Sequence, residues 1–467
     1  FMSTRPSAPA AGKRHLSVLL MLAWPAILEQ LLLTLVRYVD TAMVGALGAN
    51  ATAAVAINSS PTWLISSILS AIGVGYSVQV AHSIGARDHE HTKQVIRQAL
   101  LAVIVLGLGI TAVCLMISPY LPGWMGAEPE VIPDAISYLQ IYLLSLPFQA
   151  GSYTFSAILR CMGDTRTPLI LNTSANLLNV VLNFLFIYST RPGTLFGIDI
   201  TIPGTGWGVA GAAVATSIAT TITGLGITWT ALFGKKEYKV SLRDGLKPDR
   251  QIISRALELG IPTALEHATV SAGQIVITRI NASLGTTALA AAHVAVTAEG
   301  LSYMPADGIS YAATALVGQS YGAREYEDAR RYGKLSGLVG FGCSTFMGLL
   351  LFIFATPLST IFSSDPAVIE QAANMLRIVA ISEPLFGVSI VLSGALRGLG
   401  DTRFPLAISL VGMWAVRCTL APILVFGLKI GLAGSWIAMV CDLCVRGILC
   451  TLRFKRFTPQ YLAEHQR

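Results

Sequence analysis

The chain has 467 residues, 53% of them hydrophobic and only 12% charged, with a formal net charge of +7. Soluble domains carry about 25% charged residues, so this composition excludes a string of water-exposed domains and leaves a membrane-embedded helical bundle. The positive charge does not imply nucleic acid, because the basic residues are confined to particular loops.

In chain order, hydropathy marks twelve spans near 16–44, 50–82, 95–118, 133–159, 168–190 and 207–233, then 253–281, 287–318, 332–355, 368–396, 405–427 and 431–452. The expected fold class is an all-α integral membrane protein with twelve transmembrane helices. Lys13, Arg14 and His15 run straight into the first span without a small-residue cleavage site, so no cleavable signal peptide is expected. Of the 32 Lys and Arg residues, 25 fall on the tails and the loops on their side. Arg191 and Lys429 fall on the opposite face, and Arg37, Arg279, Arg377, Arg417 and Arg446 lie inside spans. This asymmetry predicts cytoplasmic termini on a multi-pass protein of the plasma (inner) membrane.

The two halves repeat. A shift of 237 residues carries Pro25 and Glu29 to Pro262 and Glu266, and Gly85-Ala86-Arg87 to Gly322-Ala323-Arg324. It also carries Arg160 to Arg397, and Gly163-Asp164-Thr165-Arg166 to Gly400-Asp401-Thr402-Arg403. Later, Gly208 and Gly211 match Gly431 and Gly434 at a shift of 223, so the first half holds 14 extra residues, expected in an outer loop around Gly193 to Gly206. Six spans is an even number, so both copies enter the membrane in the same orientation. The expected arrangement is two pseudo-symmetric lobes, a parallel repeat, flanking a cleft. The domains are then a cytoplasmic tail 1–15, a first lobe 16–233, a cytoplasmic linker 234–252, a second lobe 253–452 and a cytoplasmic tail 453–467.

Two lobes around a cleft suit alternating access. No P-loop or HExxH pattern occurs, so no enzyme activity, no cofactor and no metal is expected, and pumping must draw on an ion gradient. Cys441 and Cys444 have metal-like spacing but lack a second pair or a nearby histidine. Ionisable groups inside spans are the default functional candidates, since each costs about 2.5–3.5 kcal/mol at mid-bilayer. Asp40 lies eleven residues after Glu29 on the same face of the first helix, about 16 Å away if the helix is straight. Pro25 is expected to kink that helix. Arg37, one turn from Asp40, offers a bland neutralising partner.

On the fifth span Asn172, Asn176, Asn179 and Asn183 cluster, with Asn179 and Asn183 one turn apart. Amides beside a carboxylate supply oxygen ligands for a small cation, a network tuning a proton site, or simple interhelical hydrogen bonds. Thr216 follows a small-residue run on the sixth span. The second half has Ile277 where the first has Asp40, keeps Glu266, and adds Glu299, Asp307 and Glu383, with Tyr303 beside them. Glu29, Glu266, Glu299, Tyr303 and Asp307 are the candidates for the substrate cleft. Arg160, Asp164, Arg166, Arg397, Asp401 and Arg403 are expected to fix tight turns, and Asp442 with Arg446 to form an i,i+4 pair.

The first-helix stretch Pro25…Val39-Asp40-Thr41…Val44-Gly45-Ala46-Leu47-Gly48 and the duplicated turns Leu159–Arg166 and Leu396–Arg403 resemble signatures of the multidrug and toxic compound extrusion family. The resemblance spans nearly the whole chain and implies export of amphipathic, often cationic compounds against Na⁺ or H⁺. It looks nearest to the branch named for DNA-damage-inducible protein F, in which a first-helix aspartate works with groups on helices five and six. By that resemblance Asp40, Asn179, Asn183 and Thr216 form the ion-coupling site. The branch often has an acid where this chain has Asn183, which favours H⁺ over Na⁺. Another branch carries a cation-binding aspartate on helix ten, which would fall near Phe386, about a turn from Glu383. The expected partners are small-molecule substrates and membrane lipid, with no nucleic acid and no obligate protein partner. The alternative is a lipid-linked precursor flippase of the wider superfamily, though those proteins usually have fourteen spans and a basic cleft. A receptor, a channel or an intramembrane enzyme has less to support it.

Overall fold

The structure, a computed structural model, describes residues 8–195, 198–234, 238–241 and 247–465. The first residues of the expected tail 1–15 and, within the linker 234–252, residues 235–237 and 242–246 lie outside the described residues.

In the first lobe α1 (Ala8–Gly45), α2 (Ala49–Gly85) and α3 (His89–Ile117) are followed by a short α4 (Leu121–Trp124). Then come α5 (Ile132–Leu143), α6 (Leu146–Cys161) and α7 (Arg166–Phe186), the strands β1 (Ser189–Leu195) and β2 (Ile198–Thr205), and α8 (Gly208–Phe233). The second lobe holds α9 (Arg250–Ala282), α10 (Thr286–Gly322), α11 (Tyr326–Ile353), α12 (Ala355–Phe362), α13 (Pro366–Ala380) and α14 (Glu383–Gly398). It closes with α15 (Arg403–Leu410), α16 (Cys418–Pro422) and α17 (Leu432–His465).

Among the described residues eight helices are long and apolar enough to cross a membrane, and α13 with α14 makes a ninth span bent by 60°. The pair α5–α6 and the helices α9 and α10 complete twelve crossings. The last two are less apolar because they carry Glu266, Arg279, Glu299 and Asp307. Trp24, Leu35, Leu108, Leu177, Ile275, Leu338 and Ile381 are exposed, as lipid-facing residues must be.

Several expected helices are broken. The fourth and tenth spans split at Ser145 and Ser382, positions 237 residues apart that share one cause. Each serine hydroxyl donates to the carbonyl three residues back, Tyr142 O and Val379 O, both at 2.8 Å. Each is followed by a proline, Pro147 or Pro384, that supplies no N–H to the preceding turn. In the eleventh span Val411–Arg417 and Ile423–Gly427 are π-helical on either side of α16, which ends at Pro422. The 14 extra residues of the first lobe are not an irregular loop. They form an antiparallel hairpin pairing Ser189 with Thr205 and Leu195 with Ile198.

Helix α17 also runs past the expected span end at residue 452. Arg453 donates to Asp401 Oδ2 at 2.8 Å and lies over the Phe404 ring, and buried Phe454 joins the second-lobe core. The first-lobe core gathers Leu69, Val80, Ile96, Leu143, Phe155, Leu159 and Ile227 from α2, α3, α5, α6 and α8. Two further cores form around α10, one with α1, α11, α14 and α17, the other with α13 and α17.

Candidate functional site

Three polar nodes lie within the helices. The first joins α1, α7 and α8. Asn183 Nδ2 donates to Asp40 Oδ1 at 2.7 Å and is 3.2 Å from Asn179 Oδ1. Asn179 in turn meets the Thr216 hydroxyl at 3.2 Å. The four residues named for ion coupling are therefore brought together. The one-turn spacing of Asn179 and Asn183 aims both amides at α1.

The Asn179 amide satisfies both of its polar atoms in one orientation. In that orientation its Nδ2 donates to Asp40 Oδ1 at 2.8 Å, while its oxygen accepts from Thr216 Oγ1 at 3.2 Å and from the Thr216 backbone N–H at 3.1 Å. Arg37 is exposed, and among the described residues no ion pair joins it to Asp40.

The second and third nodes are copies of one another. Glu29, 2% exposed, accepts from Arg160 Nη2 at 2.8 Å and from Asn172 Nδ2 at 2.7 Å. In the second lobe Glu266 accepts from Arg397 Nη2 at 2.8 Å and from Ser409 Oγ at 3.2 Å. Asn172 and Ser409 are again 237 residues apart. The sequence leaves Glu29 and Glu266 between a place in the cleft and a local network, and puts Arg160 and Arg397 in the turns. Instead the arginines reach back from the ends of α6 and α14 and neutralise the carboxylates. A buried carboxylate demands such a partner. Arg160 also lies 4.4 Å from the centre of the Tyr311 ring on α10, linking this node to the other lobe. Tyr311 and Ser409 had no sequence signal of their own; the 237-residue shift applied to Asn172 would have found Ser409.

Asp164 accepts from the Thr167 N–H at 3.0 Å and its hydroxyl at 2.8 Å, while Asp401 accepts from the Phe404 N–H at 3.2 Å. Gly163 (φ 79°) and Gly400 (φ 87°) supply the left-handed conformation that ends α6 and α14. Arg166 is exposed, and Arg403 lies 3.4 Å from Glu258. Pro25 and Pro262 sit inside α1 and α9, which continue through them.

On α10, Glu299 is buried within electrostatic range of Glu383 and Arg417. Tyr303 packs edge-on against Phe386 at 5.6 Å, and Asp307 lies within range of Arg397. Asp442 and Arg446 form their pair, with contacts of 2.5 and 2.9 Å.

The MatE family pattern matches residues 25–185 and 262–423, once in each lobe. A probable multidrug resistance protein NorM of Thermotoga maritima is 31% identical over 93% of this chain and 91% of its own length. A second probable NorM, from Idiomarina loihiensis, is 27% identical over 98% and 97%. A crystal structure of MATE in complex with MaL6 superposes with a TM-score of 0.88 at 25% identity, over 96% of this chain and 97% of that one. These relatives correct the branch read from the sequence: the chain goes with NorM-type proteins, not with the branch named for DNA-damage-inducible protein F. That assignment rested on four residues of one lobe, whereas the NorM similarity runs through both. Matched in both lobes and along nearly its full length, the chain belongs to the MatE family, the multidrug and toxic compound extrusion proteins.

Proposed function

We propose that this protein is a secondary active exporter that moves amphipathic, often cationic compounds out of the cell in exchange for H⁺, with its two lobes alternating access. Efflux by alternating access follows from the family and the twelve-span, two-lobed fold. The ion and the residues that carry it are our reading, and one observation supports them most. Among the described residues the side chains at hydrogen-bonding distance from Asp40, half-buried inside the first lobe, are the neutral amides of Asn183 and Asn179, and Asn179 in turn meets Thr216.

Asn183 turns its amide N–H, rather than its oxygen, toward the carboxylate. An N–H donor cannot ligate Na⁺, so we read the exchanged ion as a proton, which Asp40 takes up against the pull of that N–H. With its Nδ2 toward Asp40, Asn179 is a second neutral donor to the ionised acid. Protonation then rearranges the α1–α7–α8 contacts of the first lobe.

In this reading Glu299, Tyr303 and Asp307 face substrate, and the Glu29 and Glu266 nodes hold their lobes together. The lobes span 16–233 and 253–452 in the plasma (inner) membrane. Both termini and the linker 234–252 are cytoplasmic, as the loop distribution of Lys and Arg supports.

Inside-out vesicles containing the wild-type or Asp40→Asn protein test this under separate H⁺ and Na⁺ gradients, with uptake of a fluorescent lipophilic cation as the readout. Uptake driven by the H⁺ gradient alone and lost in the variant is expected. Uptake driven by Na⁺ alone overturns the ion, and uptake indifferent to the substitution overturns the site.

A further inference from the structure

At the face that carries the two Gly-Asp-Thr-Arg turns the contact between the lobes is reciprocal. On α2, His82 Nε2 lies 2.7 Å from the carbonyl oxygen of Gly398, the last residue of α14. On α10, Gln319 Nε2 donates at 2.6 Å to the carbonyl oxygen of Cys161, the last residue of α6. His82 and Gln319 are 237 residues apart, and so are Cys161 and Gly398. The two bonds are one interaction made twice, each lobe supplying the donor for the other. Facing a carbonyl, His82 Nε2 must carry the proton.

The backbone around this pair allows nothing larger. A Cβ on Gly85 would overlap the carbonyl oxygen of Gln319, and a Cβ on Gly322 would overlap that of His82. These glycines are also 237 residues apart, so α2 and α10 cross with each glycine against the donor residue of the other helix. The acceptors are helix-end carbonyls, which have no partner within their own helix. Each therefore takes its cap from the opposite lobe. When the lobes part at this face, both carbonyls lose that cap together.

We propose that His82 and Gln319 are a matched pair of positioning residues that hold this face closed by capping, across the lobe interface, the ends of α14 and α6, with Gly85 and Gly322 setting the approach. The pair sets how often the transporter opens at this face. The internal copy names the conservative replacement: glutamine does at one site what histidine does at the other. Tyr321, whose ring centre is 4.9 Å from that of His82, and Arg255, within electrostatic range of it, are the second-lobe groups that surround the histidine.

The test places nitroxide labels at the exposed positions Arg166→Cys and Arg403→Cys, in a background with the native cysteines replaced, and measures label-to-label distances by pulsed electron paramagnetic resonance in liposomes. His82→Ala and Gln319→Ala are each expected to raise the long-distance population about fivefold, the weight of one net hydrogen bond. His82→Gln is expected to restore the wild-type distribution, a rescue that mere packing at this site would not give. The exchanged double variant, His82→Gln with Gln319→His, keeps both bonds and is expected to match the wild type even should an alanine variant fail to fold. Alanine variants with the wild-type distribution, or a glutamine or exchanged variant with a raised long-distance population, overturn the proposal.

Discussion

The two lobes share one polar node and differ in another. Glu29 with Arg160 and Asn172, and Glu266 with Arg397 and Ser409, show the same construction in both copies: a carboxylate on the first helix, an arginine at the end of the fourth span and a small polar group on the fifth. A group kept in both lobes serves what both lobes need, which is a folded bundle with its buried acid neutralised. The Asp40 node has no such copy. At its place in the second lobe, Ile277 packs with Ala421 and Ala438, with Cys418 and Leu420 beside them, in an apolar cluster. The same helix crossing is wet chemistry in one lobe and dry packing in the other. In our reading the difference places ion exchange in the lobe with the acid, and four sets of substitutions break or sharpen that contrast.

The largest effect is expected at Asp40. Asp40→Asn keeps the shape and removes the charge. Ion-driven uptake into vesicles should fall at least about a hundredfold, the scale of a lost essential proton carrier, while thermal stability in detergent stays level or rises. The reverse change, Ile277→Asp, should bring no transport of its own and should lower the melting temperature, because it buries an acid without a partner.

Next come the paired nodes. Arg160→Met strands Glu29 and should cost about 3–5 kcal/mol, read as a drop in melting temperature. Arg397→Met should cost less, because the Arg397 and Glu266 side chains are 19% and 13% exposed against 9% and 2% for Arg160 and Glu29. The double change Glu29→Gln with Arg160→Met should recover most of the loss. If it does not, Arg160 matters chiefly through the Tyr311 ring.

A smaller effect is expected at Asn183. Asn183→Ala removes a hydrogen bond to a charged group worth about 1.5–3 kcal/mol, which should weaken uptake at limiting proton gradient about ten- to a hundredfold. At Leu420, its place in the other lobe, an alanine should affect stability alone. The smallest effect is at the turns: Asp164→Ala loses a cap worth about 1 kcal/mol. Asp401→Ala should cost more, because Asp401 also holds Arg453. Chemical denaturation of the purified protein separates the two.

Much of this was legible in the sequence because it rests on local chemistry. Asp40, Asn179 and Asn183 stand out as polar residues in apolar spans, Thr216 enters through the family resemblance, and the structure gathers the four on facing helices. Gly163 and Gly400 announce turns through the backbone conformation that only glycine adopts freely. The destination of the arginines was not legible. Arg160 and Glu29 are 131 residues apart, and nothing local says whether the guanidinium points to the turn or back into the bundle. The split at Ser145 was hidden because α5 and α6 together read as one apolar stretch, and Pro147 alone does not say whether a helix kinks or stops. The branch was misread because four matching side chains in one lobe weighed more than similarity spread along both.

The sequence by itself determined the membrane setting, the crossings and the duplication. Hydropathy, charge placement and a constant shift are properties of the chain that need no partner to be read. The tertiary structure alone decided which carboxylates are neutralised and which stand among neutral amides. It also decided that each lobe caps a helix of the other. Those outcomes depend on which groups meet across helices far apart in the chain, and burial, which makes an unpaired charge costly, acts only once the helices have packed.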